Sequence, residues 1–147
     1  MQPKSRQRMM LRMALCCILL PAVLVGCKDA PTTNTIVAKA QSPNGKTSAL
    51  LVDRYYHTAR VSDGFFLILV PSNQSTSEAI NARNIGNSAV LIATWASKVQ
   101  LQWKDNNTLL VVCNSCGLKA IDISRKLDHR GNIKVVYEGF PEHTAYS

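Results

Sequence analysis

The stretch that decides the fold is Lys98-Val99-Gln100-Leu101-Gln102-Trp103-Lys104-Asp105-Asn106-Asn107-Thr108-Leu109-Leu110-Val111-Val112-Cys113. Its first seven residues alternate strictly between polar and apolar side chains, which is typical of a strand with one buried and one solvent-facing side. The next three have turn chemistry, and the apolar residues 109–113 return as a partner strand. The stretch therefore predicts an antiparallel hairpin that ends at a cysteine pair, Cys113 and Cys116.

The residues before this hairpin also have strand character. Ser42-Pro43-Asn44-Gly45-Lys46 predicts a turn into a strand over residues 49–56, because Pro fixes one dihedral angle and Asn-Gly accepts positive φ. Residues 65–70 are continuously apolar, as in a strand that is buried on both faces. Ser75-Thr76-Ser77-Glu78 has the spacing of a capping box and predicts one short helix through Arg83.

Three further segments complete the pattern. Residues 89–95, 120–123 and 133–137 are rich in strand-forming side chains, and His129-Arg130-Gly131-Asn132 predicts a turn before the last of them. Short strands separated by regular turns are typical of all-β domains. The sequence therefore predicts a mainly β fold, a small antiparallel sandwich or meander of about seven short strands with at most one short helix.

The N-terminal segment has the layout of a secretory signal peptide. Four basic residues, Lys4, Arg6, Arg8 and Arg12, precede the uncharged and mainly apolar residues 13–26. As a helix, these 14 residues would reach about 21 Å, which is short of the ~30 Å hydrocarbon core of a bilayer. We therefore expect an export signal rather than a permanent membrane span.

Leu24-Val25-Gly26-Cys27, at the end of this segment, resembles the bacterial lipobox. The resemblance implies a diacylglyceryl thioether on Cys27, cleavage before it and acylation of its new amino group by a fatty acid such as palmitate. Two or more acyl chains attach a protein stably to a bilayer. Lys28, rather than Asp, follows the cysteine, and this favours the outer membrane, facing the periplasm, over the inner membrane.

The motif divides the chain into three parts. We expect a signal peptide over residues 1–26, a lipidated cysteine and flexible tether over residues 27–41, and a single β-rich domain over residues 42–147. Four of the 17 Lys and Arg residues lie in the signal, which leaves 13 against 9 acidic residues and a net charge of about +4. That charge is dispersed, which disfavours a nucleic-acid partner and permits weak attraction to anionic lipids or cell-wall polymers.

Only two cysteines, Cys113 and Cys116, remain as side chains able to pair once the signal is removed and Cys27 is lipidated. In an oxidising compartment we expect them to form a disulfide. The alternative function is a thiol-disulfide or metal-binding protein built on this pair, in which a zinc site could use the two thiolates with His129 and either His57 or His143. A second Cys-x-x-Cys or a His-x-x-x-His is absent from the sequence.

The polar side of the alternating strand, formed by Lys98, Gln100, Gln102 and Lys104, is a candidate partner face for an envelope protein or a cell-wall polymer. A solvated sheet face with no partner is the other interpretation. No nucleophile-elbow or paired-carboxylate signature is present, and His57 is interpreted as a rim histidine. The sequence therefore predicts a non-enzymatic binding or structural accessory role, with no cofactor besides the covalent lipid on Cys27.

Three segments of the domain are similar to a group of small, uncharacterised bacterial envelope lipoproteins. These segments are Ser42-Pro43-Asn44-Gly45-Lys46, Trp103-Lys104-Asp105-Asn106-Asn107-Thr108-Leu109 and Val135-Val136-Tyr137-Glu138. In the middle of the domain, Tyr55-Tyr56-His57 replaces a Cys-Gly pair of that group. The resemblance implies a lipoprotein and supplies no catalytic residues.

Overall fold

The computed structural model describes residues 31–57, 64–94, 98–116 and 122–141. Within these ranges nine strands and two short helices follow one another, which confirms the mainly β class. They are β1 (Thr32–Gln41), β2 (Thr47–Tyr56), β3 (Gly64–Pro71), α1 (Thr76–Asn81), α2 (Ile85–Ser88), β4 (Ala89–Ala93), β5 (Val99–Trp103), β6 (Thr108–Cys113), β7 (Ile123–Lys126), β8 (His129–Arg130) and β9 (Ile133–Glu138).

The strands form two sheets. Sheet A has the order β1-β2-β3-β4-β7 and is antiparallel throughout, and sheet B has the order β5-β6-β9-β8. The fully antiparallel prediction fails at one place, because β6 and β9 pair in parallel. The chain leaves β6, adds β7 to sheet A, and returns through β8 to the free side of β6, so that β9 runs in the same direction as β6.

A single apolar layer lies between the two sheets. It joins alternate residues of β2, β3 and β4 to the inward-facing residues of β5, β6 and β9. Its most deeply buried members include Leu51, Leu67, Leu91, Leu109 and Val111. Because strand side chains alternate between faces, this layer takes only half of the apolar residues of sheet A.

The two helices cover the other face of sheet A. Leu50, Val52, Phe66 and Ile68 point toward them and pack with Ala79 of α1, Ile85 of α2 and nearby residues. This second layer explains why residues 65–70 have no polar alternation. The prediction of a strand buried on both faces is confirmed.

The tether predicted over residues 27–41 is wrong for its second part, because residues 32–41 form β1. This edge strand pairs with β2 from Thr32 opposite Tyr56 to Gln41 opposite Ser48. The folded domain thus begins about ten residues before the expected boundary at Ser42. Only small side chains such as Ala38 face the core from β1, so the sequence pattern lacks the large alternating residues that indicate a strand.

The helical segment also differs from its prediction. Ser75 precedes α1, as expected, but its hydroxyl lies 3.1 Å from Ser77 Oγ and makes no side-chain cap to the helix backbone. α1 ends at Asn81 rather than Arg83, and a second helix, α2, follows at once. Ile85 explains the second helix, since its side chain is buried against sheet A.

The hairpin over residues 98–113 is confirmed as β5 and β6, which pair from Val99 opposite Cys113 to Trp103 opposite Leu109. The backbone N–H of Asn107 donates to the Asp105 carboxylate at 2.7 Å, and this bond lowers the pKa of Asp105 below its ordinary value. Trp103 Nε1 donates to the Ala40 carbonyl at 3.2 Å and thereby joins the edge of sheet B to the edge of sheet A.

Candidate functional site

The predicted partner face lies on the solvent side of sheet B. Lys98, Gln100, Gln102 and Lys104 are all exposed, and the two glutamines stand on the edge strand β5. Paired residues of neighbouring strands project to the same side of a sheet. The register therefore places Gln102 in line with Leu110 of β6, and Gln100 in line with Val112.

The face continues onto β9. Leu110 pairs with Val136, and Val112 pairs with Glu138. Val112 and Val136 are half-buried, and Leu110, which lies beside them on this face, is only 4% exposed. We use the name outer face of sheet B for the surface formed by Gln100, Gln102, Leu110, Val112, Val136 and Glu138. It combines an apolar centre with a border of amide and carboxylate side chains, and such a surface supports both hydrogen bonds and apolar contact with a partner.

Cys113 and Cys116 are joined by a disulfide with a Cα–Cα distance of 5.4 Å. Their side chains are only 2% and 1% exposed, and both pack in the layer between the sheets. Cys113 is the last residue of a strand, so it has no helix N-terminus to stabilise a thiolate. The bond therefore lies inside the core rather than at a reactive surface.

The backbone around the disulfide is tightly packed. Gly139 has φ of +77°, and a Cβ atom at this position would overlap the Cys113 carbonyl oxygen. The chain that leaves β9 can pass here only because glycine has no side chain. This contact ties the end of sheet B to the disulfide loop.

The zinc ligands that the sequence offered do not come together in the described residues. His57 follows β2 in sheet A, and His129 lies on β8, which is an edge of sheet B; His143 lies outside the described residues. Among the residues that the structure describes, no group of three His, Cys, Asp or Glu side chains could hold a metal ion.

Cys27 also lies outside the described residues, but the point at which the chain enters the fold is defined. The His57 N–H donates to the Pro31 carbonyl at 3.1 Å, which extends the β1–β2 ladder to Pro31. His57 Nε2 lies 2.8 Å from Thr33 Oγ1, and the His57 ring packs edge-on against Tyr55 with centroids 4.8 Å apart. We call this end of sheet A, formed by Pro31, Thr33, Tyr55 and His57, the base.

Three arginines have a role that the sequence did not reveal. Arg54 Nη1 donates to the Ala82 carbonyl at the end of α1, and Arg125 Nη1 donates to the Gly86 carbonyl in α2 at 2.7 Å. Arg130 Nη1 donates to the Asn87 carbonyl at 3.3 Å. Cationic groups at helix C-termini satisfy free carbonyls and oppose the helix dipole. These side chains fasten the helical layer to the sheets.

Tyr137 was likewise missed as a structural residue. Its hydroxyl lies 3.2 Å from the Val90 carbonyl and 3.0 Å from the Leu127 carbonyl, so it joins β9 of sheet B to sheet A. Burial and the nearby Asp128 carboxylate raise the pKa of Tyr137 well above its ordinary value of 10.0. A neutral hydroxyl is required here because both partners are acceptors.

A small depression lies between α1 and β3. It has a volume of about 270 Å³ and is lined by aliphatic side chains together with the polar residues Gln74, Ser88 and Arg130. This volume is just below the range of small-molecule pockets, about 300–1,000 Å³. The Arg130 guanidinium at its border donates from Nη1 to the Asn87 carbonyl.

Comparisons with protein-family models, with curated proteins and with solved structures found no match to this chain. Within the described residues, no helix is long and apolar enough to cross a bilayer.

Proposed function

We propose that this chain is a membrane-anchored envelope lipoprotein with a non-enzymatic binding or structural accessory role. Its anchor is the acylated Cys27, and its partner surface is the outer face of sheet B. The observation that supports this surface is that the exposed Gln100 and Gln102 lie there beside the half-buried Val112 and Val136, whereas the helices cover the corresponding face of sheet A.

The lipid anchor is supported by the order of segments in the sequence. Basic residues, an apolar run and Leu24-Val25-Gly26-Cys27 precede the first strand, and the ordered sandwich begins soon after them. A fatty-acyl anchor would hold the folded domain at the bilayer without a protein segment that crosses it. We further propose that the anchor lies in the outer membrane, with the domain facing the periplasm, because Lys28 rather than Asp follows Cys27.

The composition of the outer face supports a protein or cell-wall polymer as partner. Gln100 and Gln102 offer both donors and acceptors, and amide groups of this kind bind peptide backbones and sugar hydroxyls. Lys98 and Lys104 border the same strand and add positive charge, which attracts anionic polymers. Arg54, Arg125 and Arg130 are not part of this surface, and each donates to a carbonyl in the helical region.

The disulfide environment favours this proposal over a thiol-disulfide or metal-binding function. A redox-active cysteine must meet its substrate, but Cys113 and Cys116 are almost fully buried. Replacement of both by Ala should lower the free energy of unfolding by about 2 kcal/mol or less, because the bond closes a very short loop. Unchanged binding by this variant supports the proposal, whereas abolished function with a folded domain supports the thiol alternative.

Intact mass of the membrane-extracted chain, with and without reductant, tests the anchor. We expect cleavage before Cys27, added acyl mass on Cys27, and a gain of two protons at the Cys113–Cys116 pair on reduction. Cys27→Ser should remove the acyl mass and the membrane attachment. A mature chain that lacks acyl groups, or is cleaved elsewhere, contradicts the proposal.

Site-specific photo-crosslinking tests the partner surface. A photoreactive residue at Gln102 should capture an envelope protein or wall polymer in intact cells, whereas the same residue at the exposed Glu78 of α1 is the matched control. Equal capture at both positions, or none at Gln102, contradicts the assignment of the outer face.

A further inference from the structure

The distance between the lipid anchor and the folded domain is short. This inference rests on the proposed acylation of Cys27. Only three residues, 28–30, separate Cys27 from Pro31, and Pro31 is already held by the His57 N–H. The Cα atoms of Cys27 and Pro31 can therefore be at most about 14 Å apart.

The base cannot move away from the anchor without loss of sheet structure. β1 is paired with β2 from Thr32 onward, and the Thr33–His57 side-chain contact reinforces the same end. If Pro31 were released from the sheet to lengthen the segment after Cys27, the Pro31–His57 hydrogen bond would break. The anchored domain consequently stands with its base at the membrane surface.

The side chains of the base suit that location. Tyr55 is 50% exposed although it is a large aromatic residue, and the edge-on contact with His57 supports one side of its ring. Tyrosine combines an apolar ring with a polar hydroxyl and is enriched where membrane meets water. A phospholipid headgroup layer is therefore a surface that can cover the exposed part of the ring.

We infer that the base docks on the phospholipid headgroup layer through Tyr55, and that the opposite end of the sandwich points away from the bilayer. β1 has ten residues and spans about 30 Å. The turn after β1, which contains Lys46, is thus a strand length from the membrane. Its Asn44 N–H donates to Asn106 Oδ1 of the β5–β6 turn at 3.0 Å, so the two turns form one distal end.

Fluorescence quenching in vesicles tests this orientation. The acylated full-length mature chain, with Thr33→Cys or Lys46→Cys carrying an NBD dye, is placed in phosphatidylethanolamine and phosphatidylglycerol vesicles that contain headgroup-labelled nitroxide lipid. Thr33 is exposed and pairs with Tyr55, which stays in place, and the exposed Lys46 in the turn serves as the matched control. We expect loss of fluorescence at position 33 and none at position 46. Equal quenching at both positions overturns the inference.

A label-free measurement removes any influence of the dye. The acylated chain without substitutions or dye is nitrated, and modification of Tyr55 is followed by peptide mass spectrometry. Nitration of Tyr55 should be slower when the protein is bound to vesicles than when a lipid-binding carrier holds it in solution without vesicles or detergent. Acetylation of Lys46 should proceed at the same rate in both. Unchanged nitration of Tyr55 on vesicles overturns the docking.

The anchor and the docking fail in different ways. Intact mass is recorded on each sample before the vesicle experiments. Missing acyl groups refute the proposed lipoprotein and with it this inference. Acylated protein with equal labelling of the base and the distal end refutes only the docking.

Discussion

Sheet A and sheet B differ in how many of their faces are covered. Sheet A has sheet B on one side and the two helices on the other, so residues such as Leu50 and Leu51 are both fully buried although they point in opposite directions. Sheet B packs against sheet A on one side, and its other side carries the exposed Gln100 and Gln102. Sheet A thus takes part in two apolar layers, and the outer face of sheet B is the surface that we propose for a partner.

The positively charged side chains of the two sheets also differ in what they contact. Arg54 and Arg125 of sheet A act inside the protein, on carbonyls of the helical layer. Lys98 and Lys104, at the ends of β5, are exposed. All four cations add to the net charge, but Lys98 and Lys104 are exposed to direct contact with an anion, whereas Arg54 is only 4% exposed.

The largest expected effect is on the buried centre of sheet A. Leu67 is fully buried between the sheets, and Leu67→Ala should lower the free energy of unfolding by about 2–5 kcal/mol through lost burial and a residual cavity. Val112→Ala on the outer face should lower it by only about 1 kcal/mol, since Val112 is half-buried. Denaturant unfolding monitored by circular dichroism compares them. Equal losses would mean that the outer face is covered, and the contrast between the sheets would fail.

The next effect concerns the attachment of the helices. Arg54 is 4% exposed, and Arg54→Ala leaves the Ala82 carbonyl without its donor and removes the packing over Tyr56. A hydrogen bond to a charged group contributes about 1.5–3 kcal/mol, so we expect a loss of about 2 kcal/mol in the free energy of unfolding. Exposed Lys39→Ala, on the neighbouring strand, is the control and should change it by less than about 0.5 kcal/mol. A loss no greater than that of the control would mean that Arg54 does not fasten α1.

The sequence reveals those parts of this arrangement that depend on local pattern. The β5–β6 hairpin and the exposure of Gln100 and Gln102 follow from alternation within one segment. The sequence pattern does not predict β1 as a strand, because this strand is held by backbone pairing with β2 rather than by large core side chains. The roles of Arg54 and Arg125 depend on where the helices lie over sheet A, which is a long-range property.

Only part of the candidate site could be predicted from the sequence. The polar half of the outer face could be predicted, since it lies on one strand with a strict two-residue period. Its apolar half could not, because Leu110 and Val136 meet only through the parallel pairing of β6 with β9. That pairing joins segments separated by β7 and β8 and leaves no periodic signal in the sequence.

A smaller effect concerns the joint between the sheets. Tyr137→Phe removes the hydroxyl that reaches Val90 and Leu127 and should lower the free energy of unfolding by about 1 kcal/mol at neutral pH. Because the folded state raises the pKa of Tyr137, its contribution is intact below pH 10.0 and is lost as pH rises above that value, where the unfolded chain ionises first. Between pH 8 and 11, the free energy of unfolding should therefore decrease more steeply with pH for the native chain than for Tyr137→Phe. Val112→Ala, which leaves every titratable group in place, is the control and should keep the native slope.

The smallest effect on stability belongs to the outer face, and it tests most directly whether that face is functional. Gln100→Ala with Gln102→Ala removes only exposed side chains, so the free energy of unfolding should change by less than about 0.5 kcal/mol per substitution. If the outer face binds a partner, the same variant should lose crosslinking from a photoreactive residue at Lys104 while its membrane attachment is retained. Ser77→Ala with Glu78→Ala, on the exposed surface of the helical layer, provides the matched control. Undiminished crosslinking in the glutamine variant would contradict the assignment of the outer face of sheet B as a partner surface. The exposure of Gln100 and Gln102 would then reflect a solvated sheet face without a binding role.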